Sequence, residues 1–228
     1  VLGKTALGNN TTGVNATAIG VESLASNTTG NHNTAVGADA LYKNTTGGKN
    51  TAIGVLPLFN NTIGASNTAI GYYSMYSNIS GSFNLSLGDS SLHLNTIGFE
   101  NTAIGFSALY SNTTGNYNIG IGTVALYSNT TGSGNVGIGD KSGRYIADGT
   151  TNNSISDNSV YIGANTKALA NNQTNQIVIG YDATGAGSNT ATIGNTSIVK
   201  TVLRGVIAHS TSYTVATLPT GALGDTAF

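Results

Sequence analysis

The sequence predicts an all-β protein built as a β-solenoid of 17-residue coils. Glycine recurs with this 17-residue period from Gly3 to Gly139, an aliphatic residue precedes each of these glycines, and a small residue precedes most of those aliphatics. A helical repeat of two helices takes about 30 residues or more. Glycine inside a helix costs about 1 kcal/mol. A 17-residue unit with two glycines therefore favours short strands over helices.

Two glycine columns define the predicted coil. The second column closes segments such as "NTTG" and runs from Gly13 to Gly149 at the same spacing. Glycine tolerates positive φ, so both columns predict tight corners joining two short strands. The first column closes segments such as "NTAIG" and includes Gly20, Gly37, Gly54, Gly71, Gly88, Gly105, Gly122 and Gly139.

Two apolar columns predict a thin core. Small and aliphatic residues alternate just before each glycine of the first column, as residues on the two faces of a strand do. A second apolar residue follows four positions after that glycine. Stacked about 4.8 Å apart, each column becomes a ladder along the solenoid. The predicted core ladder comprises Ile19, Val36, Ile53, Ile70, Leu87, Ile104 and Ile121, with Leu24, Leu41, Leu58, Met75, Leu92, Leu109 and Leu126.

An asparagine that never varies stands three residues before each second-column glycine from Gly13 to Gly132. Stacked amides can hydrogen-bond from coil to coil and satisfy polar groups at the corners. The predicted corner ladder is Asn10, Asn27, Asn44, Asn61, Asn78, Asn95, Asn112 and Asn129.

The rhythm loosens after Gly149. After Gly139, the next glycines that follow an aliphatic residue are Gly163, Gly180 and Gly194. Counted from Gly139, the successive spacings are 24, 17 and 14 residues. The first interval therefore holds seven extra residues, around "TTNNSISD". We therefore expect a regular solenoid over 1–149, irregular coils over 150–205, and a β-rich connector or cap over 206–228. A solenoid needs such a cap because its last coil is an open sheet edge.

The segments "NTAIGVESLASNTTGNHNTAVG" and "IGYDATGAGSNTATIG" resemble the head repeats of trimeric autotransporter adhesins. The arrays leading into "TATIGN" and "VLRG" are similar to repeat regions of phage tail fibres and bacterial fibre proteins. This resemblance implies a left-handed parallel β-roll that forms a homotrimer. It also implies an extracellular location, on a virion tail fibre or a bacterial surface. The 17-residue coil departs from the family's typical 14-residue unit.

Composition argues against several function classes. Charged residues are 7% of the chain and the net charge is −1, which predicts no attraction to nucleic acid. No apolar run reaches the roughly 18 residues of a membrane span. The chain has no cysteine, which excludes disulfides and thiolate metal sites.

The sequence shows no catalytic or metal-binding constellation. His32, His93 and His209 lack a second ligand at suitable spacing. Asp89 and Asp140 share a column but lie three coils apart, about 14 Å by the coil spacing, which exceeds the separation in glycosidases. We therefore expect no enzyme activity and no cofactor.

One aromatic column is a candidate interface or ligand surface. It lies one residue after the core leucine, so its rings should point away from the coil's own core. We expect it to pack against a neighbouring protomer, with stacking on a host glycan or protein receptor as the alternative. The column consists of Tyr42, Phe59, Tyr76, His93, Tyr110 and Tyr127.

These observations predict a structural, adhesive fibre segment acting as a rigid shaft or head. The alternative is a carbohydrate-binding or ice-binding solenoid. Threonine ladders can order water, but here the columns are broken by Ile63, Ile79, Ser80 and Ile97. The interruptions suggest that at least one threonine column is partly buried.

Overall fold

A computed structural model describes residues 2–198 of the chain. The predicted connector at 206–228 and the end of the irregular region lie outside the described residues. Residues 2–198 contain strands and turns but no helix. No helix that could cross a membrane is therefore found in this part of the chain.

The described residues form a β-solenoid, which confirms the predicted fold class. Its strands pair in chain order, all parallel, in a single sheet in which each coil contributes one strand. The strands are β1 (Thr17–Ile19), β2 (Thr34–Val36), β3 (Thr51–Ile53), β4 (Thr68–Ile70), β5 (Leu85–Leu87), β6 (Thr102–Ile104), β7 (Ile119–Ile121), β8 (Val136–Ile138), β9 (Val160–Ile162), β10 (Ile177–Ile179) and β11 (Ala191–Ile193). The left-handed winding of the solenoid and its assembly into a trimer remain predictions.

Each coil has one strand, so the prediction of two strands per coil is wrong. The rest of the coil is a chain of turns, because non-glycine residues there adopt left-handed φ angles that an extended strand does not allow. In the coil after Gly37 these residues are Asp39 (56°), Leu41 (54°) and Lys49 (60°). The turns still bond to the neighbouring coils, as the Asp39 amide does to the Val21 carbonyl at 2.9 Å.

The core lies between the strands and the leucine column. Leu24 and its equivalents are fully or almost fully buried, as predicted. The aliphatic strand column is not in the core, and that prediction is wrong. Ile19 is 39% exposed, whereas Ala18 beside it is 0% exposed. The corrected residues, all exposed or half-exposed in the single chain, are Ile19, Val36, Ile53, Ile70, Leu87, Ile104 and Ile121.

Limited space beside the leucines explains which strand residue points inward. A Cβ atom added at Gly137 would lie 2.6 Å from Cγ of Leu126. The inward position in β1 to β8 is always alanine, serine or glycine. The large aliphatic residue on the strand must therefore take the outward side.

The two glycine columns serve different purposes. In the first column Gly37 has φ 131°, and an added Cβ would collide with the Gly54 carbonyl, which confirms a positive-φ corner. In the second column, from Gly13 to Gly132, φ is not positive, so that part of the prediction is wrong. Glycine is needed there because an added Cβ at Gly47 would lie 2.3 Å from the Gly64 carbonyl oxygen and 2.5 Å from Oδ1 of Asn44.

The seven extra residues form a small hairpin outside the sheet. Tyr145 and Asn152 form an antiparallel bridge. Asp148 closes the turn by accepting bonds from the Thr150 and Thr151 amides at 2.8 and 2.7 Å. Gly149 lies in this turn, with φ 73° and no atom within 4 Å of an added Cβ. It has therefore left the corner column.

The parallel sheet continues directly from β8 to β9 beyond the hairpin, but the core changes its filling there. Tyr161 takes the inward strand position next to Gly137, and Gly143 stands where the preceding coils have leucine. A Cβ added at Gly143 would lie 2.7 Å from the Tyr161 ring. The large side chain has moved from the turn to the strand. Burial raises the pKa of Tyr161.

Candidate functional site

The corner asparagines form a continuous ladder, as predicted. Nδ2 of Asn61 donates to Oδ1 of Asn44 at 2.8 Å and to the Gly64 carbonyl at 3.0 Å. The amide-to-amide bonds run from Asn10 to Asn129 at 2.7–3.1 Å. From Asn27 onward, both hydrogens of each amide are used within the ladder. The corner ladder therefore stabilises the solenoid and leaves no donor for a ligand.

A second asparagine ladder was missed by the sequence interpretation. Nδ2 of Asn50 donates to the Gly64 carbonyl at 2.8 Å. Oδ1 of Asn50 accepts a hydrogen bond from the backbone N–H of Asn67 at 2.9 Å. The Gly64 carbonyl thus accepts one hydrogen bond from each asparagine ladder, and these two bonds stabilise the corner. The signal was available, because these residues open the repeated "NTAIG"-like segments. They are Asn33, Asn50, Asn67, Asn84, Asn101, Asn118 and Asn135.

One threonine column is half-buried, as predicted. The Thr45 hydroxyl donates to the Thr62 carbonyl at 3.0 Å, and Thr28 and Thr113 each donate in the same way to the next coil. These hydroxyls close the same corner as the asparagine ladders. The neighbouring column, which includes Thr29 and Thr46, is exposed.

The aromatic column forms a single stack outside the core. Successive ring centroids from Tyr42 to Tyr127 lie 4.9–5.4 Å apart, and the planes differ by 6–9°. All six side chains are half-buried. The predicted outward direction of the rings is confirmed. Because each inner ring is covered on both faces by its neighbours, the stack presents ring edges rather than faces.

The two ends of the stack differ. Arg144 stands one repeat length after Tyr127, at the next position of the column, and its Cζ lies 4.6 Å from the Tyr127 centroid. A guanidinium thus covers the last ring. At the other end the column continues with Ala25 and Gly8, so the free face of Tyr42 borders a depression of about 330 Å³.

Aromatic residues also flank the stack. Tyr73 lies beside the rings of Tyr76 and His93, with centroids 5.0 and 5.6 Å away. It contacts Tyr72 edge-on at 4.3 Å, and its hydroxyl raises the pKa of Tyr72 through a hydrogen bond. Tyr73 stands two residues after Gly71 of the first glycine column, so this position of the coil lies next to the stack.

The outer face of the sheet is a second candidate surface. The first and third residues of every strand point outward, and neither position carries a charged residue in any of the strands. Ile53 is 37% exposed and Ile70 is 38% exposed. With strands about 4.8 Å apart, this uncharged face extends for about 48 Å.

The histidines and acids between positions 2 and 198 do not assemble into a site. His32 lies at an exposed corner, His93 lies within the stack, and His209 falls outside the described residues. Across residues 2–198, no three His, Asp or Glu side chains come together to hold a metal ion. Asp89 and Asp140 belong to separate coils, as the repeat predicts.

No family model, curated protein or solved structure matches this chain. The aromatic stack offers ring edges and one free face, and the sheet offers a long uncharged face.

Proposed function

We propose that this chain is a structural segment of an extracellular fibre, from a virion tail or a bacterial surface, that assembles as a homotrimer and supports attachment to a host or other surface. The observation that carries this proposal is the uninterrupted bonding between coils. Strands, turns, two asparagine ladders and a threonine ladder all bond along the same axis. Bending such a rod requires many of these bonds to lengthen together.

The outer face of the sheet supports assembly. Large exposed apolar patches on soluble proteins commonly mark interfaces. A threefold arrangement would place the isoleucine columns of three chains against one another. In this proposal the sheet face replaces the aromatic column as the contact between protomers, and the aromatic stack is left to meet a receptor on the host or other surface.

Sugar stacking receives less support than a structural role. Pyranose rings stack on the faces of aromatic side chains, and the faces of the inner rings from Phe59 to Tyr110 are covered by their neighbours. For ice binding, the threonines on the outer sheet face form a regular column from Thr17 to Thr68, but Leu85 and Ile119 interrupt it. Thermal hysteresis of the purified chain would test that alternative.

Light scattering after size exclusion tests the proposed assembly. We expect a mass of about three times 22.9 kDa and, in negative-stain micrographs, straight rods of uniform width. An Ile53→Asn variant should dissociate, because a polar amide would enter the apolar interface. A monomeric wild-type chain at high concentration would contradict the trimer.

A further inference from the structure

The free end of the aromatic stack is a slot shaped by the chain's own repeat. The backbone continues past Tyr42 without interruption: the Ser26 amide donates to the Tyr42 carbonyl at 3.0 Å, and the Asn9 amide donates to the Ala25 carbonyl at 3.1 Å. Only the side chains change, from aromatic rings to Ala25 and Gly8. The slot therefore has the position of the next layers of the stack, with the Tyr42 face as one wall.

The opposite end shows which group continues the stack. There the next position of the column is Arg144, and its guanidinium lies over the Tyr127 ring. A planar cation is attracted to an aromatic face and matches the thickness of a ring. The stack thus accepts a guanidinium as its terminal layer.

Glu22 supplies the charge that a guanidinium needs. It stands two residues after Gly20 and holds the same coil position, relative to Ala25 and Tyr42, that Tyr73 holds relative to Tyr76 and His93. Glu22 therefore flanks the layer above Ala25. It lines the slot together with Thr5, Gly8, Asn9, Ala25 and Tyr42, and is the charged member of that set.

Glu22 lies next to Lys4, whose carbonyl accepts the Glu22 amide at 3.0 Å, but the two side chains form no ion pair. Glu22 forms no ion pair with any residue between positions 2 and 198. Lys43, the residue after Tyr42, points toward the later coils, where its Nζ donates to Oδ1 of Asn60 at 2.9 Å and lies 5.3 Å from the Phe59 ring.

We propose that the slot formed by Tyr42, Ala25 and Glu22 binds the guanidinium group of an arginine side chain from a protein partner. The guanidinium lies flat on Tyr42 above Ala25 and donates to the Glu22 carboxylate. Thr5 and Asn9 offer further hydrogen bonds at its edge. This site does not depend on the trimer or on the fibre role.

NMR titration tests the site directly. N-acetyl-arginine amide should shift the Ala25 and Glu22 amide signals and the Tyr42 ring signals in a saturable way. N-acetyl-citrulline amide has the same planar shape without the charge, and N-acetyl-lysine amide has the charge without the plane. Each should bind about two- to fivefold more weakly than the arginine derivative.

Variants separate the contributions of the three residues. Glu22→Gln should weaken arginine binding about two- to fivefold, whereas Glu100→Gln, on an exposed corner of another coil, should leave it unchanged. Ala25→Tyr should abolish binding by filling the slot with the ring that the column carries elsewhere. If that variant does not fold, Tyr42→Leu keeps apolar bulk, removes the ring face and should weaken binding.

Four outcomes would overturn guanidinium binding in the slot, and a fifth would overturn the protein partner. These are no saturable shift at millimolar arginine derivative, equal binding of citrulline, unchanged binding in Tyr42→Leu, or tighter binding of methyl β-glucoside, which would assign the slot to a sugar. Methylguanidine binding as tightly as the arginine derivative would assign it to small guanidines and remove the protein partner.

Discussion

The amide of Asn61 lies 2.8 Å from the side-chain oxygen of Asn44, and this contact repeats from coil to coil. From Asn27 onward, each amide donates one hydrogen to the preceding asparagine and the other to a glycine carbonyl in its own corner. The inner part of the ladder is buried, so each of its members must supply a donor group to avoid an unpaired buried acceptor.

Replacing Asn61 by aspartate should destabilise the solenoid strongly. One carboxylate oxygen would keep the bond from Asn78, but the other would face the acceptor oxygens of Asn44 and Gly64. A buried charge with no opposite charge beside it costs about 3–5 kcal/mol. The free energy of unfolding from denaturant titration measures the effect. Asn60→Asp is the matched control, because Asn60 already accepts a bond from the Lys43 ammonium. Equal losses in both variants would show that the ladder has no special role.

Adding a methyl group at Gly54 should be more costly than adding one at Gly149. At Gly54 the new Cβ would lie 2.6 Å from the Gly71 carbonyl oxygen at φ 134°, whereas at Gly149 it meets nothing within 4 Å. We expect Gly54→Ala to cost about 3 kcal/mol or more. Gly149→Ala should cost about 1 kcal/mol, the penalty of a left-handed residue. Thermal melts of both variants would check the difference, and similar melting temperatures would contradict it.

Leu58 and Ile53 should respond differently to truncation. Leu58 is fully buried, and Leu58→Ala should cost about 2–5 kcal/mol through the cavity it leaves. Ile53 is 37% exposed in the single chain. Ile53→Thr should therefore change the unfolding free energy of the monomer by only about 0.5 kcal/mol. The same change should weaken the proposed trimer, measured by sedimentation. A stability loss in Ile53→Thr as large as that in Leu58→Ala would place isoleucine back in the core.

The Asp148 turn should open only in strong acid. Hydrogen bonds from the Thr151 hydroxyl, the Thr150 amide and the Thr151 amide lower the pKa of Asp148 to about 2. Because this pKa lies below that of the unfolded chain, the contribution to stability is present above about pH 4. It is lost as the pH falls toward 2. Carboxyl NMR titration should show the low pKa.

Thr151→Val removes the hydroxyl bond to Asp148 while leaving the backbone bonds in place. In this variant the pKa of Asp148 should move back toward its ordinary value, and the amide of Ile146, which donates to the Thr151 carbonyl, should exchange faster. An unchanged titration midpoint would contradict the assigned cause. Asp148→Asn should abolish the acid-dependent step in the hairpin signals.

The repeat length and fold class were predictable from the sequence because the glycine spacing counts the residues in each coil. The direction of the strand residues was not. Ala18 and Ile19 alternate, and alternation alone leaves open which of the two faces inward. The space beside the leucines decides the matter, because it admits only small side chains there: a Cβ added at Gly137 would already lie 2.6 Å from Cγ of Leu126. That space depends on how close the leucine turn comes to the strand.

Two other features show why spacing can mislead. Gly149 continues the 17-residue rhythm, yet it belongs to the hairpin, and Ser156 lies beside Gly132 at the corner instead. A coincidence of spacing therefore hid the start of the insertion. The sequence interpretation missed Arg144 as the last member of the aromatic column, because a search for aromatic residues does not include arginine. Its position, 17 residues after Tyr127, is nevertheless that of the column.

Within residues 2–198, the hydrogen bonds between coils join each coil to the coils before and after it. An in-frame duplication or deletion of one coil in the gene would therefore change the length of the rod without disturbing its register. A change in coil number would then alter the length of the solenoid while the strand and corner contacts stay the same.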